Sequence, residues 1–174
     1  EAAAEAEQTA VGKAEIGGCQ VYGAKRTDGR DGDVIGLGST PQLEATNIAA
    51  QVENMVTYIK RRATNKVNFH IDKTGDDEIV AQINAPLFDW VIENLLKNAL
   101  DAMEGHGSIH IAIKNESTQV VIDITDTGKG ISKKNIPNVF KPGFTTKKRG
   151  WGLGLSLSKR IIELYHRGEL FVKH

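Results

Sequence analysis

Three polar side chains recur along one side of an otherwise apolar helical pattern. Asn94, Asn98 and Asp101 stand at positions i, i+4 and i+7, which lie in one narrow stripe of a helix with 3.6 residues per turn. An exposed helix face is the ordinary explanation of such a stripe. The alternative is a binding site, because amide oxygens can complete the shell of a magnesium ion that keeps several waters. The stripe is therefore a candidate for ligand and metal binding.

A second candidate is Asp126, which ends a strand-like run. Residues 121–125 are followed abruptly by Asp-Thr-Gly-Lys-Gly, with glycines at 128 and 130. This order places a carboxylate at the lip of a sheet, and the glycines let the backbone approach a ligand closely. A carboxylate there can accept a hydrogen bond from an exocyclic amino group such as that of adenine. The alternative is a simple turn at a strand end.

The segment 129–149 has the sharpest charge imbalance of the chain, with seven basic residues and no acidic one. A nucleic-acid patch is one interpretation, but only Phe140 and Phe144 are interleaved aromatics, and glycine and proline interrupt any continuous helix. A mobile cationic loop that folds over a polyphosphate explains the composition equally well. The glycines at 150, 152 and 154 then open a helix, where successive N–H groups and the helix dipole attract an anion. Their spacing fits neither a P-loop nor G-x-G-x-x-G.

The elements that must position these residues follow from hydrophobic periodicity. The order of helices and strands implies an α+β or α/β sandwich in which helices cover a mixed sheet. Residues 67–71 and 79–83 are predicted to be two strands around a turn, and 108–114 and 119–125 form a second strand pair. The predicted helices span 47–62, 87–103 and 153–166, and a terminal strand spans 169–172.

Residues 1–38 differ from the rest of the chain. Eight of the 18 glycines fall here, between small and charged residues. We interpret this stretch as a leader or linker of unclear role, with one candidate short strand at 20–22. The remaining residues, 39–174, are predicted to form the functional domain.

Composition excludes several classes of protein. The 22 basic residues balance 22 acidic ones, which argues against a dedicated nucleic-acid binder. Cys19 is the only cysteine, so neither an internal disulfide nor a cysteine-based zinc cluster is available. We expect no membrane-spanning segment and no export signal, because the apolar runs are far shorter than about 20 residues and the start lacks a basic-then-apolar pattern.

Taken in order along the chain, these features resemble one family. Asn-x-x-x-Asn on a helix, Asp-x-Gly-x-Gly after a strand, a basic loop with phenylalanines and Gly-x-Gly-x-Gly before a helix are similar to the ATP-binding catalytic domain of sensor histidine kinases. That family is grouped with gyrase-type, mismatch-repair and heat-shock-90-type ATPases. The resemblance runs from about Gly38 onward, with the N box at 88–103, G1 box at 126–131, F box at 139–147 and G2 box at 150–155. Residues 153–159 favour the histidine kinases over the other branches.

The resemblance implies a fold and a set of roles. The fold would be α+β, a two-layer α/β sandwich of the Bergerat type with a mixed sheet covered on one face by helices. Asn98 would bind magnesium, Asn94 would lie beside it, and Lys97 would approach the phosphates; these three are the candidate catalytic residues. Residues 132–149 would form a lid over ATP, called the lid below. The implied nucleotide-binding residues are Asn94, Asn98, Asp101, Asp126, Gly128, Gly130, Ile131, Phe140, Thr145, Thr146, Lys147, Gly150, Gly152, Leu153, Gly154 and Leu155.

The resemblance also implies cofactors, partners and a location. The reaction would transfer the γ-phosphoryl group of ATP, with Mg²⁺, to a histidine on a separate helical-hairpin dimerisation domain, and a response regulator would act downstream. No nucleic acid and no direct membrane contact are expected for this segment. The location would be cytoplasmic, including the case of the cytoplasmic part of a membrane-anchored sensor.

Three departures from the family pattern are visible. The family's acceptor is a helical histidine followed by an acidic residue, and none of the five histidines here has that neighbour. Trp151 stands where a small residue is common. The chain stops at His174, before the family's final glycine turn and closing strand, so we expect the strand at 169–172 to keep one unpaired edge.

Two other functions stay open from the sequence. One is an ATPase of the gyrase or heat-shock-90 branch, but those enzymes activate water with a glutamate where Asn94 stands here. The other is a nucleotide-binding regulatory or docking module, or a degenerate kinase without transfer activity, since binding residues do not by themselves establish catalysis.

Overall fold

The structure is a computed structural model that describes residues 9–17, 40–75, 78–116, 118–148 and 150–172, with the backbone alone for 9–17. A 3₁₀ turn, Ile136–Asn138, interrupts the long loop, and a π-helical turn, Ile161–Tyr165, continues the last helix. In chain order the other elements are β1 Thr9–Gly17, β2 Glu44–Asn47, α1 Ile48–Lys60, β3 Val67–Thr74, β4 Val80–Ile83, α2 Ala85–Met103, β5 Gly107–Asn115, β6 Gln119–Asp126, α3 Gly154–Arg160 and β7 Glu169–Phe171.

Five strands form one mixed sheet in the order β3-β5-β6-β1-β7. β3 and β5 run parallel, whereas β5, β6, β1 and β7 pair antiparallel in succession. The strands β2 and β4 form a separate antiparallel pair. Together with the helices, this arrangement confirms the predicted α+β class with a mixed sheet.

The core lies between the sheet and the helices. The alternating residues Ile109, Ile111 and Ile113 of β5 are fully buried against the apolar sides of α1 and α2, whereas His110 faces outward and is exposed. This period-2 pattern is that of a sheet covered on one face, as predicted.

Local capping sets where the two long helices begin. Asn47 accepts a hydrogen bond from the Ala50 N–H, and Asn84 accepts one from the Leu87 N–H, at 2.9 and 3.2 Å. Asparagine at this position satisfies an N–H that the helix itself leaves free. α2 therefore starts at Ala85, two residues before the predicted start. It ends where Glu104 adopts a left-handed conformation, φ 53°.

The predicted strand pair around residues 74–77 was wrong in its pairing. Both strands form, but β3 pairs with β5 and β4 pairs with β2, an element that the sequence pattern did not predict. The Ile48 N–H donates to the Ile79 carbonyl at 2.8 Å, which ties the start of α1 to the approach of β4. Local turn residues therefore predicted the break between β3 and β4, whereas contacts with more distant segments decided which strands pair.

The predicted helix at 153–166 is divided into α3 and the π-helical turn. His166 ends that turn and is buried. Its Nδ1 donates to the Ile161 carbonyl at 3.0 Å, and its Nε2 accepts from the Asn84 N–H at 3.1 Å. The wider turn thus links the end of this helix to the N-terminal cap of α2, which carries the polar stripe.

Residues 9–17, which the sequence assigned to a leader, form β1 between β6 and β7. Ala14 stands opposite both Ile122 and Leu170 in the register. Both partners are buried in the core, so this position falls on the helix-covered face. β7 is the edge strand of the described sheet, as expected, and its neighbour is β1, a pairing that the sequence did not predict. The candidate strand at 20–22 lies outside the described residues, and a domain boundary at 38/39 stays a prediction.

Candidate functional site

A cavity of about 560 Å³ opens between α2, the loop after β6, the lid and the start of α3. This volume is in the range of small-molecule sites. Most of the residues singled out from the sequence line it: Asn94, Asn98, Asp101, Gly130, Ile131, Thr145, Thr146, Lys147, Gly150, Gly152, Leu153, Gly154 and Leu155.

The α2 side of the cavity is held by two different contacts. Asn94 Nδ2 donates to Ser158 Oγ at 3.0 Å, and Ser158 is fully buried on α3. One turn later, Asn98 Oδ1 and Asp101 Oδ2 both accept from Lys147 Nζ of the lid, at 2.8 and 2.5 Å. The stripe therefore connects α2 to α3 at one end and to the lid at the other.

Asp126 is the one buried acidic residue in the described part of the chain, with no exposed surface. Its Oδ1 accepts the Gly128 N–H at 2.7 Å, but its Oδ2 has no partner there. Burial raises the pKa of this carboxyl to about 6, against a smaller lowering by the Gly128 hydrogen bond. A buried carboxylate oxygen without a donor is costly, so it indicates a group that the site is built to receive.

Asp126 and Gly128 lie beside the cavity wall rather than in it. A Cβ at Gly128 would lie 2.6 Å from both Asp126 Oδ1 and the backbone of Ala102, which lines the cavity. Any side chain at 128 would therefore push the carboxylate away from α2. The close packing of this glycine is what brings the Asp126 loop next to the stripe.

Two other glycines form a tight cradle where the lid meets α3. Gly152 has φ 65°, and a Cβ there would lie 2.5 Å from the Gly143 backbone. The Gly143 N–H donates to the Gly152 carbonyl at 2.9 Å and closes the base of the lid. A Cβ at Gly154 would lie 2.5 Å from Asn94 Oδ1. At 152 glycine is required, because φ is positive and backbone atoms occupy the space of a side chain. At 154 the Asn94 amide occupies that space.

Lys97 and Phe140 do not line the cavity. Lys97 is half exposed and its Nζ lies 2.6 Å from Glu93 Oε1. Phe140 packs against the core, and Lys159 Nζ lies 4.9 Å from its ring centre. Phe140 thus supports the base of the lid, and the phosphate role of Lys97 stays a prediction.

The cavity has further lining residues that were not among the implied nucleotide-binding residues: Ala102, Lys129, Ser132, Asn135, Val139, Phe144 and Trp151. A signal existed for Ala102, because it follows Asn98 by four residues on the same helix face. No local signal marked Asn135 or Val139, since their approach depends on how the lid folds back.

Within the described residues, the histidines form no second site. His110 Nε2 lies 2.6 Å from Asp72 Oδ2 on the exposed face of the sheet. Over the described ranges, no three histidine, cysteine or acidic side chains come together as a metal cluster. A metal here would instead be held by Asn98 and neighbouring oxygens, a donor set that suits a hydrated magnesium ion. The described helices include none long and apolar enough to span a membrane.

Comparison with known proteins agrees with this geometry. The family model of histidine kinase-, DNA gyrase B- and HSP90-like ATPases matches residues 83–174, more than half of the chain. The chain is 43% identical over 133 residues to sensor histidine kinase ZraS of Salmonella typhi, covering 75% of this chain and 28% of that protein. It is 40% identical over 84 residues to sporulation kinase E of Bacillus subtilis, covering 48% and 11% respectively. The chain thus spans about a quarter or less of these relatives.

A solved structure shows the same fold. The catalytic domain of histidine kinase ThkA superposes with a TM-score of 0.68 at 23% identity, covering 75% of this chain and 93% of that one. The matched residues, 83–174, include those that line the cavity, the two glycines of the cradle and the buried carboxylate of Asp126. The chain belongs to the family of histidine kinase-, DNA gyrase B- and HSP90-like ATPases, as an ATP-binding catalytic domain of the histidine kinase type.

Proposed function

We propose that this domain binds Mg-ATP and donates the γ-phosphoryl group to a histidine on a separate helical-hairpin domain of a two-component sensor kinase. The observation that carries the proposal is Asp126, a fully buried carboxylate with one unpartnered oxygen beside the cavity. An exocyclic amino group is a donor of the right chemistry for that oxygen. The oxygens of Asn98 and Asp101, which line the cavity, suit a magnesium ion, and the glycine cradle suits a polyphosphate.

Each residue of the cavity would have a separate role in binding Mg-ATP. Asp126 selects adenine, and the backbone of Gly152 and Gly154, which lines the cavity, borders the phosphate chain. Asn98 would hold the metal, and Lys147 is the lysine of the described lid residues that lines the cavity. When bound, magnesium neutralises charge on the transferring phosphoryl group. Asn94, oriented by Ser158, borders the phosphate end of the cavity.

Asn94 also argues against an ATPase of the gyrase or heat-shock-90 branch. Water activation needs a group that accepts a proton, and an amide has no such basicity. The Asn94 amide nitrogen is moreover engaged by Ser158 at 3.0 Å. We therefore expect slow hydrolysis, with the phosphoryl group kept for a protein acceptor.

The surface beside the phosphate end of the cavity suits a helical partner. Trp151, Leu153 and Leu157 are 88%, 50% and 42% exposed, and the first two also line the cavity. Exposed apolar side chains grouped in this way are typical of a protein interface. A phosphoacceptor helix docked here would bring its histidine to the open end of the phosphate chain.

The wider context is inferred from relatives. A structure of ThkA contains its response regulator TrrA, and we propose a response regulator as the downstream partner of this kinase too. We further propose that the domain works in the cytoplasm, as a soluble kinase or as the inner part of a membrane-anchored sensor.

Gly154→Ala tests the cradle without a large cost to folding. The added Cβ would displace the flexible Asn94 amide, while alanine is the better helix former. We expect thermal stability to change little and ATP affinity to fall about tenfold, near 1.4 kcal/mol. Titration with ATP and a melting curve measure both. Ser156→Ala on the same helix is the matched control and should keep wild-type affinity; equal affinity in both variants would contradict the cradle.

The proposed transfer is tested by supplying the missing acceptor. The domain is incubated with γ-labelled Mg-ATP and a separately purified helical-hairpin domain from a related sensor kinase. We expect acid-labile, base-stable label on the hairpin domain, the signature of phosphohistidine, and none without magnesium. The Asn98→Ala variant should lose the label.

Two failures have different meanings. Tight ATP binding with no label on any hairpin domain would assign the chain to the docking-module class. Absence of magnesium-dependent ATP binding would reject the nucleotide site itself.

A further inference from the structure

Among the described residues of the lid, one ammonium group, that of Lys147, connects the lid to α2 by side-chain contacts. Lys147 Nζ lies 2.8 Å from Asn98 Oδ1 and 2.5 Å from Asp101 Oδ2. The two acceptors are three residues apart on one helix face, so one ammonium spans both. Lys147 contributes the cation of this cluster, and Asp101 its only carboxylate.

The other lid lysines do not share this contact. Within the part of the lid that the structure describes, Lys147 alone forms an ion pair. Lys148, its neighbour, is exposed and lines no part of the cavity. The base of the lid is closed separately, by the Gly143 to Gly152 hydrogen bond. Residues 144–148, called the lid tip below, are therefore held over the polar stripe of α2 by Lys147.

The ammonium occupies the oxygens that a metal would use. An amide oxygen and a carboxylate oxygen are hard ligands, which suit Mg²⁺ with its remaining waters. The same two oxygens cannot hold the lysine and accept a divalent cation closely at the same time, because the two positive charges would repel. Lid fastening and metal binding at this pair are therefore mutually exclusive.

We propose that Asn98 and Asp101 form one cation site, which Lys147 occupies in the nucleotide-free domain and a divalent cation takes over when Mg-ATP enters, releasing the lid tip. This inference rests on the proposed function and adds Asp101 as a cation ligand and Lys147 as the competing internal cation. Release would leave the lysine free to meet the phosphates.

The contact of Lys147 with Asp101 is weak enough for a divalent cation to displace it. Asp101 and Lys147 side chains are 59% and 43% exposed, and ion pairs of this exposure shift an equilibrium by about two- to fivefold. A divalent cation can therefore compete with the Lys147 ammonium for these two oxygens. Raised salt should also loosen the contact, because exposed pairs are screened.

The test uses the nucleotide-free protein, so its result does not depend on the kinase reaction. Lys147→Met and the control Lys148→Met are compared by amide hydrogen exchange of the lid and by titration with Mn²⁺ as a paramagnetic probe. We expect about two- to fivefold faster exchange of residues 144–148 and about two- to fivefold tighter Mn²⁺ binding in Lys147→Met. Lys148→Met should behave like the wild type in both measurements.

Asp101→Asn separates a cation site from a structural ion pair. It should loosen the lid as Lys147→Met does, but weaken Mn²⁺ binding rather than tighten it. If both variants loosen the lid with Mn²⁺ affinity unchanged, the pair is a structural contact and the inference is overturned. Unchanged lid exchange in Lys147→Met would overturn it as well. Failure of ATP binding alone would reject the proposed function and leave these measurements intact.

Discussion

Asp126→Asn is expected to stabilise the free domain above pH 6 while it weakens ATP binding. In the wild type, burial raises the pKa of Asp126 to about 6 from its ordinary 3.8. The folded state therefore binds this proton more tightly than the unfolded state, and the group's contribution to stability falls as pH rises between about 4 and 6. At neutral pH the ionised carboxylate, with one oxygen unpartnered, lowers the free energy of unfolding.

The expected gain in stability is limited by the new amide. The raised pKa of Asp126 corresponds to about 3 kcal/mol of lost stability, at 1.36 kcal/mol per pKa unit. The unpaired amide N–H of the new asparagine would offset part of the gain from removing the charge. We expect a net gain of about 1 to 2 kcal/mol in the free energy of unfolding at pH 7.5, shrinking towards zero near pH 4. Denaturant unfolding of both proteins across this range measures it. A destabilised variant at pH 7.5 would contradict the account of Asp126 as a strained, ligand-ready carboxylate.

The loss of affinity should be specific for the adenine amino group. A hydrogen bond to a charged acceptor contributes about 1.5 to 3 kcal/mol, so ATP affinity should fall about 10- to 100-fold. GTP, which carries an oxygen in place of that amino group, should bind the wild type poorly and change little on mutation. Wild-type ATP affinity should itself decline below pH 6, as the carboxyl takes up a proton. Equal affinity of the wild type for ATP and GTP would show that Asp126 does not recognise adenine.

Ala14→Pro is expected to destabilise the sheet and weaken ATP binding. Ala14 stands in the middle of β1, opposite Ile122 on one side and Leu170 on the other. A strand paired on both edges has no place for proline, which lacks the N–H and fixes φ. A cost of about 3 kcal/mol or more is a large part of a typical stability of roughly 5 to 15 kcal/mol.

The effect should reach the site through β6. Thr9 of β1 pairs with Asp126, the last residue of β6, so losing β1 unpairs one edge of the strand that carries this carboxylate, while β5 still pairs with its other edge. We expect the melting temperature to fall by about 6 to 12 °C and amides of β6 to exchange faster. The matched control is Ala14→Val, which keeps the N–H and suits a strand, and should stay within about 1 kcal/mol of wild type. Wild-type melting and ATP affinity in Ala14→Pro would show that β1 is dispensable.

The helices and the motifs were predictable because their signals are local. Apolar residues at helical spacing placed α1 and α2 within two residues of their observed starts. The same period placed Asn94, Asn98 and Asp101 on one face, and the structure brings all three to one cavity. Strand pairing between β5 and β6 was also predictable, since a short turn joins them.

Long-range pairing was not predictable from such signals. Glycines at 12 and 17, and a register shift between Ala10 and Gly12, hide the alternation of β1. Its partners are more than 100 residues away in sequence, so no local pattern reveals the pairing. The exchange of partners by β3 and β4 has the same origin. In each case burial of a shared apolar face, rather than strand propensity, selects the neighbour.

The sequence by itself determined which residue types are available: amides and a carboxylate on one helix, an acidic residue before two glycines, and a cationic loop. Only the tertiary structure decided how they are used. It buried Asp126 with one oxygen unpartnered, turned Lys97 towards Glu93, and placed Lys147 on Asn98 and Asp101. The physical reason is that side-chain chemistry is a property of the residue, whereas burial, charge partners and access depend on which distant segments the folded chain packs together.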